Sequence, residues 1–144
     1  MAASKTSSIK LFSTDLDGTL LGNPESTQRF VAAWEALSEK ERPLLVFNSG
    51  RLVADMQNLV SEGKLPQPDF DVGGVGTEIC EGATGNPLSG WQEQLERHWD
   101  REKVHQLIEA IGDTSPQPDH FQNSHKSSWY LANADAERIA NIEA

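Results

Sequence analysis

Hydrophobic positions fall into short unbroken runs and longer stretches at helical spacing, and each short run gives way to polar residues and glycine. Ile9 and the segment Lys10–Thr14 read as a strand that ends in Asp15-Leu16-Asp17-Gly18-Thr19. Phe30, Val31, Trp34 and Leu37 then recur three or four residues apart, predicting a helix that Ser26 or Thr27 can cap and Pro43 stops. Leu44-Leu45-Val46-Phe47 is a continuous apolar run of strand length, which predicts a parallel strand buried on both faces, ending in Asn48-Ser49-Gly50-Arg51. Leu52, Val53, Met56, Leu59 and Val60 form a second helical stripe with Gly63 as its stop. Phe70-Asp71-Val72 predicts a third strand, running into Gly73-Gly74-Val75-Gly76-Thr77-Glu78.

The remaining pattern is weaker. Glu78–Glu81 and the segment near Leu88 suggest a small hairpin across a turn at 82–87, and Trp91–Gly112 is helical in pattern, in one piece or two. Ser115–Asn123, with Pro116 and Pro118, reads as a linker; Ser127–Leu131 reads as a strand and Asp135–Ala144 as a helix. The strand–helix–strand–helix–strand order means βαβ units over a parallel sheet. In such open α/β sheets ligands bind outside the carboxyl ends of the strands, so Asp15–Thr19, Asn48–Arg51 and Gly73–Glu78 should meet in one crevice.

Composition narrows the classes. The 144 residues carry 12 basic and 22 acidic side chains, a net charge of −10, with no Lys/Arg cluster. That argues against nucleic acid as a partner, because phosphate neutralisation needs a basic face. A single cysteine, Cys80, excludes an internal disulfide framework and a multi-cysteine zinc site. No apolar run approaches the ~18 residues of a membrane span, and Met1–Ser8 lacks the apolar segment of a secretory signal; a cytoplasmic location is the expectation. Gly74-Val75-Gly76-Thr77-Glu78-Ile79 fails the dinucleotide fingerprint, since Ile79 stands where Gly or Ala is required.

The first strand end can support phosphoryl chemistry. Asp15 can act as a nucleophile that forms an aspartyl-phosphate, and Asp17 as a general acid and then base. Gly18 permits the tight turn after the pair. Two carboxylates facing a phosphate dianion repel it unless a divalent cation intervenes, and Mg²⁺ suits oxygen ligands. Ser49, Gly50 and neighbouring amides can hold a phosphate oxygen at the start of the second helix, and Arg51 can add a bidentate contact. Asp15–Thr19 also reads as an ordinary surface turn when taken alone; the matched second strand end favours a site. His98 and His105, seven apart, read as structural, Trp34 as core, Trp91, Trp99 and Trp129 equally as packing or as sugar platforms, and Cys80 as a small buried hydrophobe.

Phe12-Ser13-Thr14-Asp15-Leu16-Asp17-Gly18-Thr19-Leu20-Leu21 resembles motif I of the haloacid-dehalogenase-like (HAD) phosphatases, and Asn48-Ser49-Gly50-Arg51 resembles their motif II. Val75-Gly76-Thr77-Glu78-Ile79, with Trp91 and His125-Lys126-Ser127-Ser128-Trp129-Tyr130-Leu131, is similar to the sucrose-phosphate phosphatase branch. The resemblance implies an α/β fold: the N-terminal half of a Rossmann-like HAD core over residues 1–122, and the start of an α+β sugar-binding cap over 123–144. It implies an Mg²⁺-dependent phosphomonoesterase acting on a sugar phosphate, sucrose 6-phosphate foremost. Alternatives are mannosyl-phosphoglycerate or another glycosyl phosphate, or a non-catalytic phosphatase-like interaction module with a sucrose-phosphate synthase as partner. By position, Asp15 is phosphorylated and binds Mg²⁺, Asp17 is the acid/base and binds Mg²⁺ through its backbone carbonyl, and Ser49 contacts the phosphoryl group. Gly76, Thr77 and Glu78 border the sugar pocket, and Lys126 lies where the cap begins. The branch also uses a later lysine and a later acidic motif. After Tyr130 the chain has no lysine, and Asp135, Glu137 and Glu143 lack that signature, so the expectation is a chain ending inside its cap and a poor catalyst with an exposed sheet edge.

Overall fold

A computed structural model describes residues 9–143; the N-terminal segment Met1–Ser8 considered above lies outside them. Contacts divide the chain between Ser89 and Gly90 into two units. The boundary expected at 122/123 falls inside the second.

The first unit holds β1 (Leu11–Thr14), α1 (Pro24–Glu35), β2 (Leu44–Asn48), α2 (Val53–Ser61), β3 (Phe70–Gly73) and β4 (Glu78–Glu81). The strands form one sheet in the order β1-β2-β3-β4, the first three parallel and β4 antiparallel to β3. The hairpin expected after residue 78 is present as well: Leu88 N–H donates to Ile79 O at 2.7 Å and Glu81 N–H to Asn86 O at 2.9 Å.

Helix α1 starts at Asn23 rather than at Ser26 or Thr27: the Asn23 side chain accepts from Ser26 N–H at 3.0 Å, and Pro24 occupies the first helical position, where its missing N–H costs nothing. Phe12 of β1 stacks on Phe30 and packs tilted against Trp34 of α1, with ring centroids 5.8 and 6.0 Å apart, fixing the helix to the sheet.

Register explains which side of the sheet is covered. Phe12 pairs with Leu45, Thr14 with Phe47, and Phe47 with Asp71, so these residues share one face. Two successive right-handed crossovers with strands added in one direction put α1 and α2 on that same face. Leu45 and Phe47 are fully buried there, while Leu44 and Leu11, on the other face, are 47% and 53% exposed. The expectation of a β2 buried on both faces is therefore corrected: the strand alternates, because within this unit helices cover only one side. The core is Leu16, Trp34, Leu45, Phe47, Val53, Met56, Leu65 and Cys80.

The second unit contains α3 (Trp91–Glu96), α4 (Arg101–Ile111), β5 (Thr114–Pro116), β6 (Trp129–Leu131) and α5 (Ala136–Glu143). The 91–112 stretch is thus two helices, and Asp100 caps the second by accepting from Lys103 N–H at 3.0 Å. Part of the expected linker is strand: β5 pairs antiparallel with β6, Pro116 opposite Trp129. No described helix is long and apolar enough to cross a membrane.

Candidate active site

The loop after β1 is built around one buried side chain. Leu16 is fully buried between two exposed carboxylates, so the chain dips inward at 16 and presents Asp15 and Asp17 on either side. Gly18 takes φ +71°, the left-handed conformation that glycine adopts without penalty, and Leu21 N–H closes the loop on Leu16 O at 2.8 Å. Thr19 Oγ1 donates to Asp15 Oδ2 at 3.3 Å.

Hydrogen bonds join the three strand ends. Arg51 Nε and Nη2 donate to Asp17 Oδ2 and Oδ1 at 2.8 and 2.7 Å, a bidentate pair linking the first end to the second. Gly74 N–H donates to Arg51 O at 2.7 Å and Val75 N–H to Ser49 O at 3.3 Å, linking the second end to the third. The three strand ends thus meet, as strand order predicted. The bonds with Asp17 raise the Arg51 pKa above its already high value. The pair is solvent-exposed, so it contributes to position more than to stability.

Ser49 is buried, and its Oγ accepts from Arg51 N–H at 3.3 Å. Its own N–H is occupied by Val72 O at 2.9 Å, and α2 begins four residues later at Val53, so Ser49 does not sit at the helix start as expected. Gly50 is exposed, with open space where a Cβ would project.

Gly74, Val75 and Gly76 all have positive φ, 57°, 62° and 84°. In the β-branched Val75, which is 74% exposed, this is a strained conformation. Thr77 Oγ1 donates to Gly74 O at 2.8 Å and holds the loop closed. Glu78, expected beside the sugar, spends an oxygen elsewhere: its Oε2 accepts from Val53 N–H at 2.9 Å. Leu52, at the N-cap of α2, has no side-chain acceptor, so Glu78 caps the helix from the neighbouring strand. Lys126 belongs to the second unit, where its Nζ donates to Phe121 O at 2.7 Å.

Sequence reasoning missed three features: the Thr19 contact to Asp15, the Asp17–Arg51 pair, and the capping role of Glu78. Thr19, four residues after Asp15 across a glycine turn, was the one with a local signal.

The oxygens available to a divalent cation are the Asp15 carboxylate and, with the Asp17 side chain engaged by Arg51, the Asp17 backbone carbonyl. Among the described residues no group of three His, Cys, Asp or Glu is arranged to hold a metal. Two hard oxygens nevertheless fit Mg²⁺, which keeps several waters and often takes only one or two carboxylates.

Comparison with known proteins gives the family and the fold. A mannosylfructose-phosphate phosphatase of Agrobacterium fabrum is 40% identical over 136 residues, covering 94% of this chain and 55% of the relative. Sucrose-phosphatase 1 of Nicotiana tabacum is 35% identical over 130 residues, 88% of this chain and 30% of the relative. The chain thus spans about half or less of the length of these curated relatives. In fold it matches a sucrose-phosphatase from Synechocystis, solved with sucrose and phosphate, at a TM-score of 0.80 and 24% identity over 94% of this chain and 54% of that one. Residues 8–144 match the family model described as sucrose-6F-phosphate phosphohydrolase. The chain belongs to that family.

Proposed function

We propose that this protein hydrolyses the phosphate monoester of a fructose-containing disaccharide, sucrose 6-phosphate foremost, releasing the sugar and inorganic phosphate. The observation that carries this reading is the hydrogen-bonded convergence of the Asp15, Arg51 and Gly74 strand ends in a member of a sugar-phosphate phosphohydrolase family.

In this reading an Asp15 carboxylate oxygen attacks phosphorus, the bond from phosphorus to the sugar oxygen breaks, and protonated Asp17 gives its proton to the leaving alkoxide. Water then attacks phosphorus, giving a proton to Asp17, and the bond from phosphorus to the Asp15 oxygen breaks, which releases inorganic phosphate and restores both carboxyl groups. The Asp15 carboxylate and the Asp17 carbonyl would hold Mg²⁺, which when bound would offset the charge between the carboxylates and the phosphate dianion. Arg51 has a second task. A bound phosphoryl group competes for its guanidinium, and as Arg51 turns to it, Asp17 is released to carry a proton. Ser49 offers its hydroxyl to a phosphoryl oxygen, and Thr19 orients Asp15. Gly76 and Thr77 are the proposed sugar contacts; Glu78 acts through α2.

Mannosylfructose phosphate is the second reading, favoured by the 40% identity to the Agrobacterium enzyme. Phosphate release from the two disaccharide phosphates, measured in parallel with Mg²⁺, separates them. Asp15→Asn should lower the preferred rate by at least ~10³-fold. Equal rates for Asp15→Asn and the native protein would overturn the proposal.

A further inference from the structure

A second polar site lies in the first unit, away from the strand ends. A cavity of about 230 Å³ is lined by Gln57 and Ser61 of α2, by Gln67, by Asp71 of β3 and by Thr84 and Gly85 of the turn after β4. Asp71 is 1% exposed, and neither carboxylate oxygen has a hydrogen-bond partner. Residues 71 and 73 share a strand face, and a Cβ on Gly73 would lie 2.8 Å from Val53 N, so this face is turned toward α2 and the cavity. Asp69, two residues earlier, shows the contrast: its Oδ2 accepts from Leu45 N–H at 2.7 Å.

Among the described residues nothing offsets an Asp71 charge. The cavity lining contains no lysine, arginine or histidine. Opposite Asp71 in register stands Cys80, a buried thiol whose pKa is raised by burial, then by Glu78 and by Asp71 itself. An unpaired buried carboxylate is costly and demands either a proton or a counter-ion. The other polar groups at the cavity are neutral oxygen donors: the Gln57 and Gln67 amides and the Ser61 and Thr84 hydroxyls. One carboxylate among neutral oxygens balances a single positive charge; this cavity offers neither the second carboxylate nor the substrate phosphate that completes the charge around a divalent ion at the strand ends.

We propose that this cavity binds a monovalent alkali cation, K⁺ or Na⁺, between the Asp71 carboxylate and these neutral oxygens. The ion ties β3 to α2 and to the 82–85 turn, and stabilises the unit by binding only its folded form.

Thermal unfolding at pH 8 tests this, in 100 mM KCl, NaCl or tetramethylammonium chloride at equal ionic strength. KCl or NaCl should raise the midpoint by about 3 °C or more over tetramethylammonium, saturably, while Asp71→Asn should lose that dependence and remain folded. ²³Na line broadening by the native protein, absent with Asp71→Asn, is the second readout. A midpoint that responds equally in both proteins, or one that follows pH alone with no difference between the three salts, would overturn the proposal; the latter would mean that a proton neutralises Asp71.

Discussion

The two units of this chain are held together by different means. In the first, eight apolar residues between Leu16 and Cys80 are buried in one cluster under α1 and α2. In the second, none of the described apolar residues is fully buried, and polar ties take their place. Gln122 Nε2 donates to Gln117 O and Ser128 O at 2.9 and 2.7 Å, its Oε1 accepts from Ser128 N–H at 2.8 Å, and Trp99 Nε1 donates to Ser124 O at 2.7 Å. Arg138 reaches Gly112 O at 2.6 Å and Asp113 Oδ2 at 3.0 Å, binding α5 to the end of α4. Burial of apolar surface stabilises far more than exposed hydrogen bonds, each of which replaces a bond to water. The strand ends that carry Asp15, Asp17 and Ser49 therefore stand on the unit with the buried core, as the proposed preorganised phosphoryl site would require.

The largest effect should come from cutting that core. Phe47→Ala should cost about 3–5 kcal/mol in denaturant unfolding of the first unit, whereas Leu107→Ala, at a position 61% exposed in the second, should cost within ~0.5 kcal/mol. Comparable losses would erase the distinction between the units.

The next effect sharpens the contrast through pH. Burial pushes the Asp71 pKa up to about 6 from 3.8, so the folded state binds a proton that the unfolded state has released between these values. Stability should then fall as pH rises from about 4 to 6, by roughly 2–3 kcal/mol when no alkali cation is present. Asp71→Asn should flatten that segment of the curve; an unchanged slope would show that other carboxylates cause it.

Smaller still is the effect in the second unit. Arg138→Ala removes the bonds to Gly112 O and Asp113, and should cost about 1–2 kcal/mol, read as faster hydrogen exchange across 101–143 with no change in β1–β3. Equal acceleration in both units would mean that they unfold as one.

Much of this architecture was legible in the chain. The apolar runs at 11–14, 44–47 and 70–72 became strands, the stripes at Phe30–Leu37 and Leu52–Val60 became helices, and their order brought three strand ends together. Three features were hidden for physical reasons. Pro116 marked a linker because proline cannot donate to a ladder, yet it closes β5 at the strand's last position, and the next residue, Gln117, supplies the following donor, to Ser128 O at 2.9 Å. The run Leu44–Phe47 suggested two covered faces, but coverage depends on which side the crossovers place their helices. In β3 the covered face carries the charge: the close approach of Gly73 to α2 turns Asp71 inward, while Phe70 and Val72 lie half-buried on the other face, which strand periodicity alone does not assign. At the site, residue types and spacing singled out Asp15, Asp17, Ser49 and Arg51. The pairing of Arg51 with Asp17 and of Glu78 with α2 lay beyond them, because both join positions at least 25 residues apart.

The central claim is covalent transfer to Asp15, and the most direct measurement is to trap it. The protein is mixed with Mg²⁺ and a ³²P-labelled disaccharide phosphate, quenched in acid, and mapped by peptide. The account predicts a hydroxylamine-labile label on the peptide carrying Asp15, absent from Asp15→Asn. Label on another residue, or label that persists when Asp15 is replaced, would contradict it.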